Sequence, residues 1–215
     1  DWIGTFDYLK QYCQVIYLER TKDVSSTMLR ARNFPIIKLG IIGCGRIATR
    51  MVPEVKYVSG IYVEGVYNPH IESAERFADK CELNFYTDDL KKFFENIDAV
   101  YIASPHDTHY TYAKEALLNG KHVLCEKSFT VNESQAREVL ALAREKKLLL
   151  TEAIWTRYMP MRKTLDSVLS SGVIGRPYML TANLGYIISG KERIMRPELA
   201  GGALLDVGIY PLNFA

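Results

Sequence analysis

Several features are scarce in this chain. The four cysteines, Cys13, Cys44, Cys81 and Cys125, are scattered and form no C-x-x-C pair. That argues against a zinc site or a disulfide framework and for a reducing, cytoplasmic setting. Charge of one sign is also missing. Lys and Arg number 27 against 25 Asp and Glu, a net +2 with no basic run, so nucleic acid is not suggested as a partner. No apolar run is long enough to cross a bilayer, and the opening residues show no secretory pattern. No His, Cys and carboxylate cluster has metal-ligand spacing, so no metal is expected, and no Gly-x-Ser-x-Gly nucleophile elbow occurs. What remains is an ordinary apolar and charged content, with material for a core and a length of 215 residues that suits one to two domains.

What the chain does have is alternation. The short apolar run Leu39-Gly40-Ile41-Ile42 ends in Gly43-Cys44-Gly45-Arg46-Ile47-Ala48, and helix-compatible sequence follows to Pro53. This reads as the strand, tight turn and helix that open a nucleotide-binding βαβ unit. Gly43 allows the sharp turn, Gly45 leaves room for a diphosphate against bare backbone, and Ala48 lets the helix pack close to the strand. A second strand, Ile61 to Tyr67, ends at Asn68-Pro69-His70. An NAD-preferring site often carries a carboxylate near here for the ribose 2′-hydroxyl. Asn68 stands there instead. A neutral side chain does not repel a 2′-phosphate and His70 can assist it, which favours NADP, with NAD the close alternative.

The rhythm continues with helix over about 71–81, a short strand near Phe85, and Asp88 as the expected cap of a helix bearing Leu90, Phe93, Phe94 and Ile97. The strand from Asp98 to Ala103 delivers a polar loop, Ser104 to His109, and a helix is expected from His109 to a Gly120 stop. The strand Lys121 to Cys125 delivers Glu126-Lys127-Ser128 to the same sheet edge, and Asn132 with Gln135 reads as a capping box. A sixth strand, Leu148 to Leu150, ends at Thr151-Glu152. Beyond it lie a helix bearing Leu165, Val168 and Leu169, a strand-like run from Tyr178 to Leu184, and a loop with Arg193 and Arg196. The fold expected is α/β: a Rossmann dinucleotide-binding domain over 34–153, then the truncated start of an α+β catalytic domain over 154–215.

The first 33 residues do not fit that fold. They offer a helical segment around Phe6 to Tyr12, a strand at Val15 to Leu18, and the polar turn Arg20-Thr21-Lys22-Asp23-Val24-Ser25-Ser26-Thr27. That turn resembles the signature near the end of glycerol-3-phosphate-type cytidylyltransferases, with Asp23 in place of the usual Gly. The resemblance implies phosphate contacts at Arg20, Ser25, Ser26 and Thr27. The family's His-x-x-His motif is absent, so this leader reads as the tail of a transferase module and a linker, without activity of its own.

Residues 36–215 resemble the glucose–fructose oxidoreductase/inositol dehydrogenase (Gfo/Idh/MocA) family of NAD(P)-dependent enzymes. The matching pieces are Gly43 to Ala48, Ser104-Pro105 to His109, Gly120 to Lys127, Gly172-Val173-Ile174-Gly175, and Gly201 to Tyr210. Glu152 to Arg157 looks closest to the trans-1,2-dihydrodiol dehydrogenase branch. The usual Glu-Lys-Pro is Glu-Lys-Ser here, and Ser128 is expected to loosen the turn after the lysine. The resemblance implies hydride transfer between NADP or NAD and a hydroxyl or carbonyl of a sugar, polyol or related diol. It implies Lys127, Tyr210 and Asp206 as catalytic residues. Lys127 would place the reacting oxygen and Tyr210 would be the acid/base. Asp206, four residues before Tyr210 on the same helical face, would orient Lys127 or bind a substrate hydroxyl. Cofactor contacts are implied at Gly43, Gly45, Arg46, Ile47, Asn68, His70, Ser104, Pro105, His109, Glu126 and Lys127. Trp155 and Arg157 would shape the substrate pocket. Family members continue past the helix of Tyr210 into an open antiparallel sheet that often dimerises, so this chain is expected to lack that sheet and the homo-oligomer contact it provides. The alternative function is a non-catalytic dinucleotide-binding regulator. The leader further suggests a fusion protein that makes or modifies a CDP-activated polyol or sugar.

Overall fold

The computed structural model describes residues 7–15, 36–188 and 190–215. The chain divides into two compact units, Asp1–Pro35 and Ile36–Ala215. In the first, Asp7–Gln11 forms a single 3-10 turn with a Lys10–Asp7 ion pair at 2.8 Å. The transferase-like turn, Arg20 to Thr27, and the strand residues Ile16 to Leu18 lie outside the described residues.

The second unit is built on a six-stranded, wholly parallel sheet: β1 Ile37–Ile42, β2 Ile61–Tyr67, β3 Phe85–Thr87, β4 Ala99–Ile102, β5 His122–Cys125 and β6 Leu150–Glu152. Their spatial order, β3-β2-β1-β4-β5-β6, reverses between β1 and β4. Parallel strands need crossover helices, and these come in turn: α1 Arg46–Val55, α2 Ile71–Cys81, α3 Leu90–Glu95, α4 His106–Leu118 and α5 Glu133–Lys146. One face packs Leu39, Ile41 and Val66 against Ala48, Val52, Val55, Ala74, Phe77 and Ala78 of α1 and α2. The other packs Ile42, Val100, Ile102 and Val123 against Phe93, Phe94, Ala113, Leu117, Val139 and Ala143 of α3, α4 and α5. Strands buried on both faces read as continuous apolar runs, as these do.

The helix ends show local rules at work. Asn132 Oδ1 accepts the Gln135 N–H at 3.0 Å, while Gln135 Oε1 reaches back to the Val131 N–H at 3.2 Å. Asp89, not Asp88, caps α3, accepting from the N–H groups of Lys91 and Lys92 at 2.9 and 3.1 Å. Helix α4 starts at His106, three residues before the expected His109, because Pro105 with its fixed φ takes the N-cap place.

After β6 the chain turns through Trp155–Tyr158 into α6, Pro160–Ser170. The run 178–184 forms no strand; all of 175–188 is without regular structure. No described strand lies beside it to accept its backbone bonds, and alternation alone does not make a sheet. A short helix α7, Glu192–Met195, and a 3-10 turn, Pro197–Leu199, precede a wide π-turn over Leu204–Gly208 that runs into α8, Ile209–Phe214.

Candidate active site

Crevices in open parallel sheets form at the carboxyl edge where strand order reverses, and here that point lies between the ends of β1 and β4. Gly43 leaves β1 with φ +99°, and an added Cβ would stand 2.7 Å from the Ala103 carbonyl oxygen. No other residue fits. At Gly45 an added Cβ would meet nothing nearer than the Ala103 oxygen at 4.0 Å, so its bare side faces open space. Gly45 is the N-cap of α1 and makes no side-chain cap bond, so the first-turn N–H groups remain for an anion. Arg46 and Ile47 are exposed at the first two helical positions. These residues fit a dinucleotide: its diphosphate would lie on backbone that no side chain fills.

Asn68, at the end of β2, is folded onto its own turn. Its Oδ1 accepts the His70 N–H at 2.9 Å. Burial pushes the Cys44 thiol up, while a hydrogen bond with Asn68 and the charge of Arg76 oppose that rise. Cys44, Asn68 and His70 thus flank the glycine loop on the side where an adenosine ribose would lie.

The loop after β4 carries Ser104 and Pro105. Thr108 Oγ1 donates to Ser104 Oγ at 2.7 Å, which fixes the first turn of α4. His109 is fully buried. Its Nδ1 lies 2.8 Å from the Ser128 carbonyl oxygen and its Nε2 2.8 Å from that of Ser104. Both ring nitrogens thus face main-chain carbonyls, and His109 braces the loop after β4 to the loop after β5.

The loop after β5 holds Lys127. Its Nζ donates to the Asp206 carbonyl oxygen at 2.6 Å and lies 3.4 Å from Asp206 Oδ1 and 5.4 Å from the Tyr210 ring centre. Next to it, Ser128 Oγ donates to the Leu205 carbonyl oxygen at 2.8 Å. The freed Asp206 carbonyl has a local cause: Pro211, five residues on, brings no N–H to it in the wide turn, and Lys127 supplies a donor instead. Ser128 therefore does not loosen the turn; with 4% exposure and partners at its hydroxyl and its carbonyl, it ties the turn down.

Tyr210 completes the group. Trp155 Nε1 donates to its hydroxyl at 3.2 Å, with the rings edge-to-face at 6.3 Å. Burial pushes the phenol up, the Trp155 bond lowers it, and the charges of Glu126 and Asp206 raise it again. Arg157 is held elsewhere: with the Asn213 amide turned oxygen-inward, its guanidinium bonds that side chain, Nε at 3.2 Å.

The structure thus brings Lys127, Asp206, Tyr210 and Trp155 together, and gathers Gly43, Gly45, Arg46, Ile47, Asn68 and His70 around the glycine loop. Four further residues join the site here. Tyr101 donates to Glu126 Oε1 at 2.6 Å and fixes that carboxylate. Glu152 Oε1 accepts the Phe129 N–H at 3.1 Å and is pushed up by burial. Arg193 Nη2 stands 3.7 Å from Asp206 Oδ1. His106, under this cluster, is pushed down to about 4 by burial, with the charges of His109 and Lys127 adding. Glu152 closes a readable strand and was open to a sequence argument; the others depend on contacts across the fold. Among the described residues no His, Cys, Asp and Glu group could hold a metal.

Comparison with known proteins gives the following likenesses. The family model described as "Oxidoreductase family, NAD-binding Rossmann fold" (GFO_IDH_MocA) matches residues 37–154. The D-xylose 1-dehydrogenase (NADP(+)) of Hypocrea jecorina is 41% identical over 129 residues, 55% of this chain and 33% of that protein. The trans-1,2-dihydrobenzene-1,2-diol dehydrogenase of Xenopus laevis is 33% identical over 181 residues, 82% of this chain and 55% of that one. A crystal structure of a variant of KijD10, a 3-ketoreductase from Actinomadura kijaniata in complex with TDP-benzene and NADP, superposes with a TM-score of 0.69 at 30% identity, covering 82% of this chain and 55% of that one. The chain spans about half the length, or less, of the relatives it matches.

Proposed function

Because the chain belongs to the Gfo/Idh/MocA oxidoreductase family, with its NAD-binding Rossmann fold, we propose that it serves hydride transfer between NADP or NAD and a hydroxyl or carbonyl of a sugar, polyol or related diol. Residues 34–153 form the cofactor-binding part and 154–215 the opening of the catalytic part. The observation that carries the reading is the meeting of Lys127, Asp206 and Tyr210 at the sheet edge, on the side of β1 and β4 where the glycine loop opens.

The dinucleotide, when bound, gives or takes the hydride at nicotinamide C4. The protein must then hold the substrate oxygen and move one proton. Lys127 donates a hydrogen bond to that oxygen, and Asp206 sets the direction of its amine. Tyr210 exchanges the proton. Its phenol, pushed up by burial, stays protonated at neutral pH, the form that donates to a carbonyl as hydride arrives. Trp155 holds the phenol in place and walls the pocket.

NADPH and NADH titrations by fluorescence, followed by a screen of aldoses, polyols and dihydrodiols, test this directly. Turnover in Lys127→Ala is expected to fall about 100-fold or more. Full turnover in that variant overturns the catalytic assignment, and cofactor binding without turnover on any substrate favours a non-catalytic regulator. We also read the leader as the tail of a cytidylyltransferase-like module, on the strength of its Arg20-to-Thr27 signature, and the protein as cytoplasmic, in keeping with its unpaired cysteines.

A further inference from the structure

The turn that carries Asp206 and the helix that carries Tyr210 bury no residue, and Leu204, Leu212 and Phe214 are exposed. Apolar packing therefore does not set where these two side chains stand, and discrete polar ties must. At the far end Arg162 Nη1 donates to the carbonyls of Asn213 and Phe214 at 3.2 and 3.4 Å. At the near end the ties are the Lys127 amine on Asp206 and the Ser128 hydroxyl on the Leu205 carbonyl at 2.8 Å. Trp155 and Arg193, which also touch this segment, are exposed themselves. The two near ties differ. The amine has to serve the substrate oxygen as well, whereas the hydroxyl sits on a buried residue, closed off from substrate. Ser128 is also anchored from behind. Its carbonyl faces His109 Nδ1 at 2.8 Å, and the next N–H, that of Phe129, bonds Glu152 Oε1 at 3.1 Å. A proline, usual after the lysine, has no hydroxyl and cannot make this tie.

We propose that Ser128 is a positioning residue for the reaction: its hydroxyl holds the turn of Asp206 against the lysine loop, so that Tyr210 stays beside the amine while Lys127 serves the substrate oxygen. This rests on the hydride-transfer reading and deepens it by naming the contact that keeps the proton donor and the oxygen holder in register. Competition for the amine makes that contact necessary. When the substrate oxygen draws on the ammonium, its bond to the Asp206 carbonyl is shared or lengthened. A tie that the substrate does not enter keeps the segment docked. Removing the buried hydroxyl leaves the Leu205 carbonyl short of a donor and releases the turn.

The test uses Ser128→Ala and Ser128→Thr, each in this chain with Trp2→Phe so that Trp155 is its one tryptophan. Trp155 donates to the Tyr210 hydroxyl and so reports docking without any substrate. Acrylamide is expected to quench Trp155 more strongly in Ser128→Ala than in the parent, and Ser128→Thr is expected to match the parent. On the panel of aldoses, polyols and dihydrodiols with NADP, kcat of Ser128→Ala is expected to fall about 10-fold. NADPH affinity should stay within about 2-fold, and the threonine hydroxyl should restore most of the lost turnover. Parent-like quenching and kcat in Ser128→Ala overturn the assignment. So does an equal loss of NADPH affinity and kcat, the mark of a residue that only stabilises the fold. If quenching changes as expected but the parent turns over nothing on the panel, the hydride-transfer reading falls and the docking by Ser128 stands.

Discussion

Lys127 leans on main chain more than on a carboxylate, since its shorter bond, 2.6 Å, goes to the Asp206 backbone oxygen and the side-chain oxygen lies at 3.4 Å. Asp206→Ala leaves that shorter bond in place. Steady-state turnover in Asp206→Ala is therefore expected to exceed that of Lys127→Ala by about tenfold or more; equal losses would mean that the carboxylate itself handles substrate. His106 supplies a pH test. Its folded value, about 4, lies below the ordinary 6.5, so between those values the unfolded chain binds a proton that the folded chain refuses. Stability is full above pH about 6.5 and is lost progressively as pH falls toward about 4. Urea midpoints measured across that window should fall more steeply in the parent than in His106→Gln, and parallel slopes would exclude the imidazole as the cause. Much of this scale was legible in the sequence, because Lys127, Asp206 and Tyr210 sit inside recognisable runs. Ser128 was misjudged for a physical reason: its partner is at Leu205, 77 residues on. The bonds by which His109 spans two loops were out of reach for the same reason.

Among the elements, the two loop glycines separate fold from binding. Gly43 has a left-handed φ and a backbone oxygen where a Cβ would sit, whereas Gly45 has open space. Gly43→Ala should therefore cost about 1–3 kcal/mol in denaturant midpoint as well as binding, and Gly45→Val should cost dinucleotide affinity with little change in stability. The reverse pattern would show that the loop is shaped by something other than these clashes. Strands β1 and β2 and helix α2 were readable almost to the residue, because apolar runs buried on two faces and helical stripes leave little choice. The start of α4 was not, since Pro105 caps as well as turns. The run 178–184 was not either, because its alternating residues read as a strand whether or not a neighbour exists to pair with it.

On the scale of the molecule, burial is uneven. After Ile154 only Ile194 is buried among the described residues, while Tyr178, Met179 and Ile187 are almost fully exposed. Amide hydrogen exchange should report this, with the amides of β1, β4 and β5 protected longest and those of 175–188 exchanging early; uniform protection would contradict it. That the polar loops gather at one edge of a parallel sheet followed from the βα alternation; the order of its strands came from the structure. The docking of Leu204–Gly208 onto the lysine loop did not, since it rests on two hydrogen bonds between residues 77 and 79 positions apart.

Lys127 and Ser128, consecutive in one loop, grip the consecutive carbonyls of Asp206 and Leu205. That pairing has a reading frame. One residue inserted between Gly202 and Leu205 would rotate the helix by about 100° and present both donors with the wrong atoms, whereas the same insertion within 178–187 would be absorbed by unladdered backbone. Length variation is thus expected to be forbidden in the first segment and common in the second, and a scan of single-residue insertions scored by NADPH-linked turnover would map the boundary.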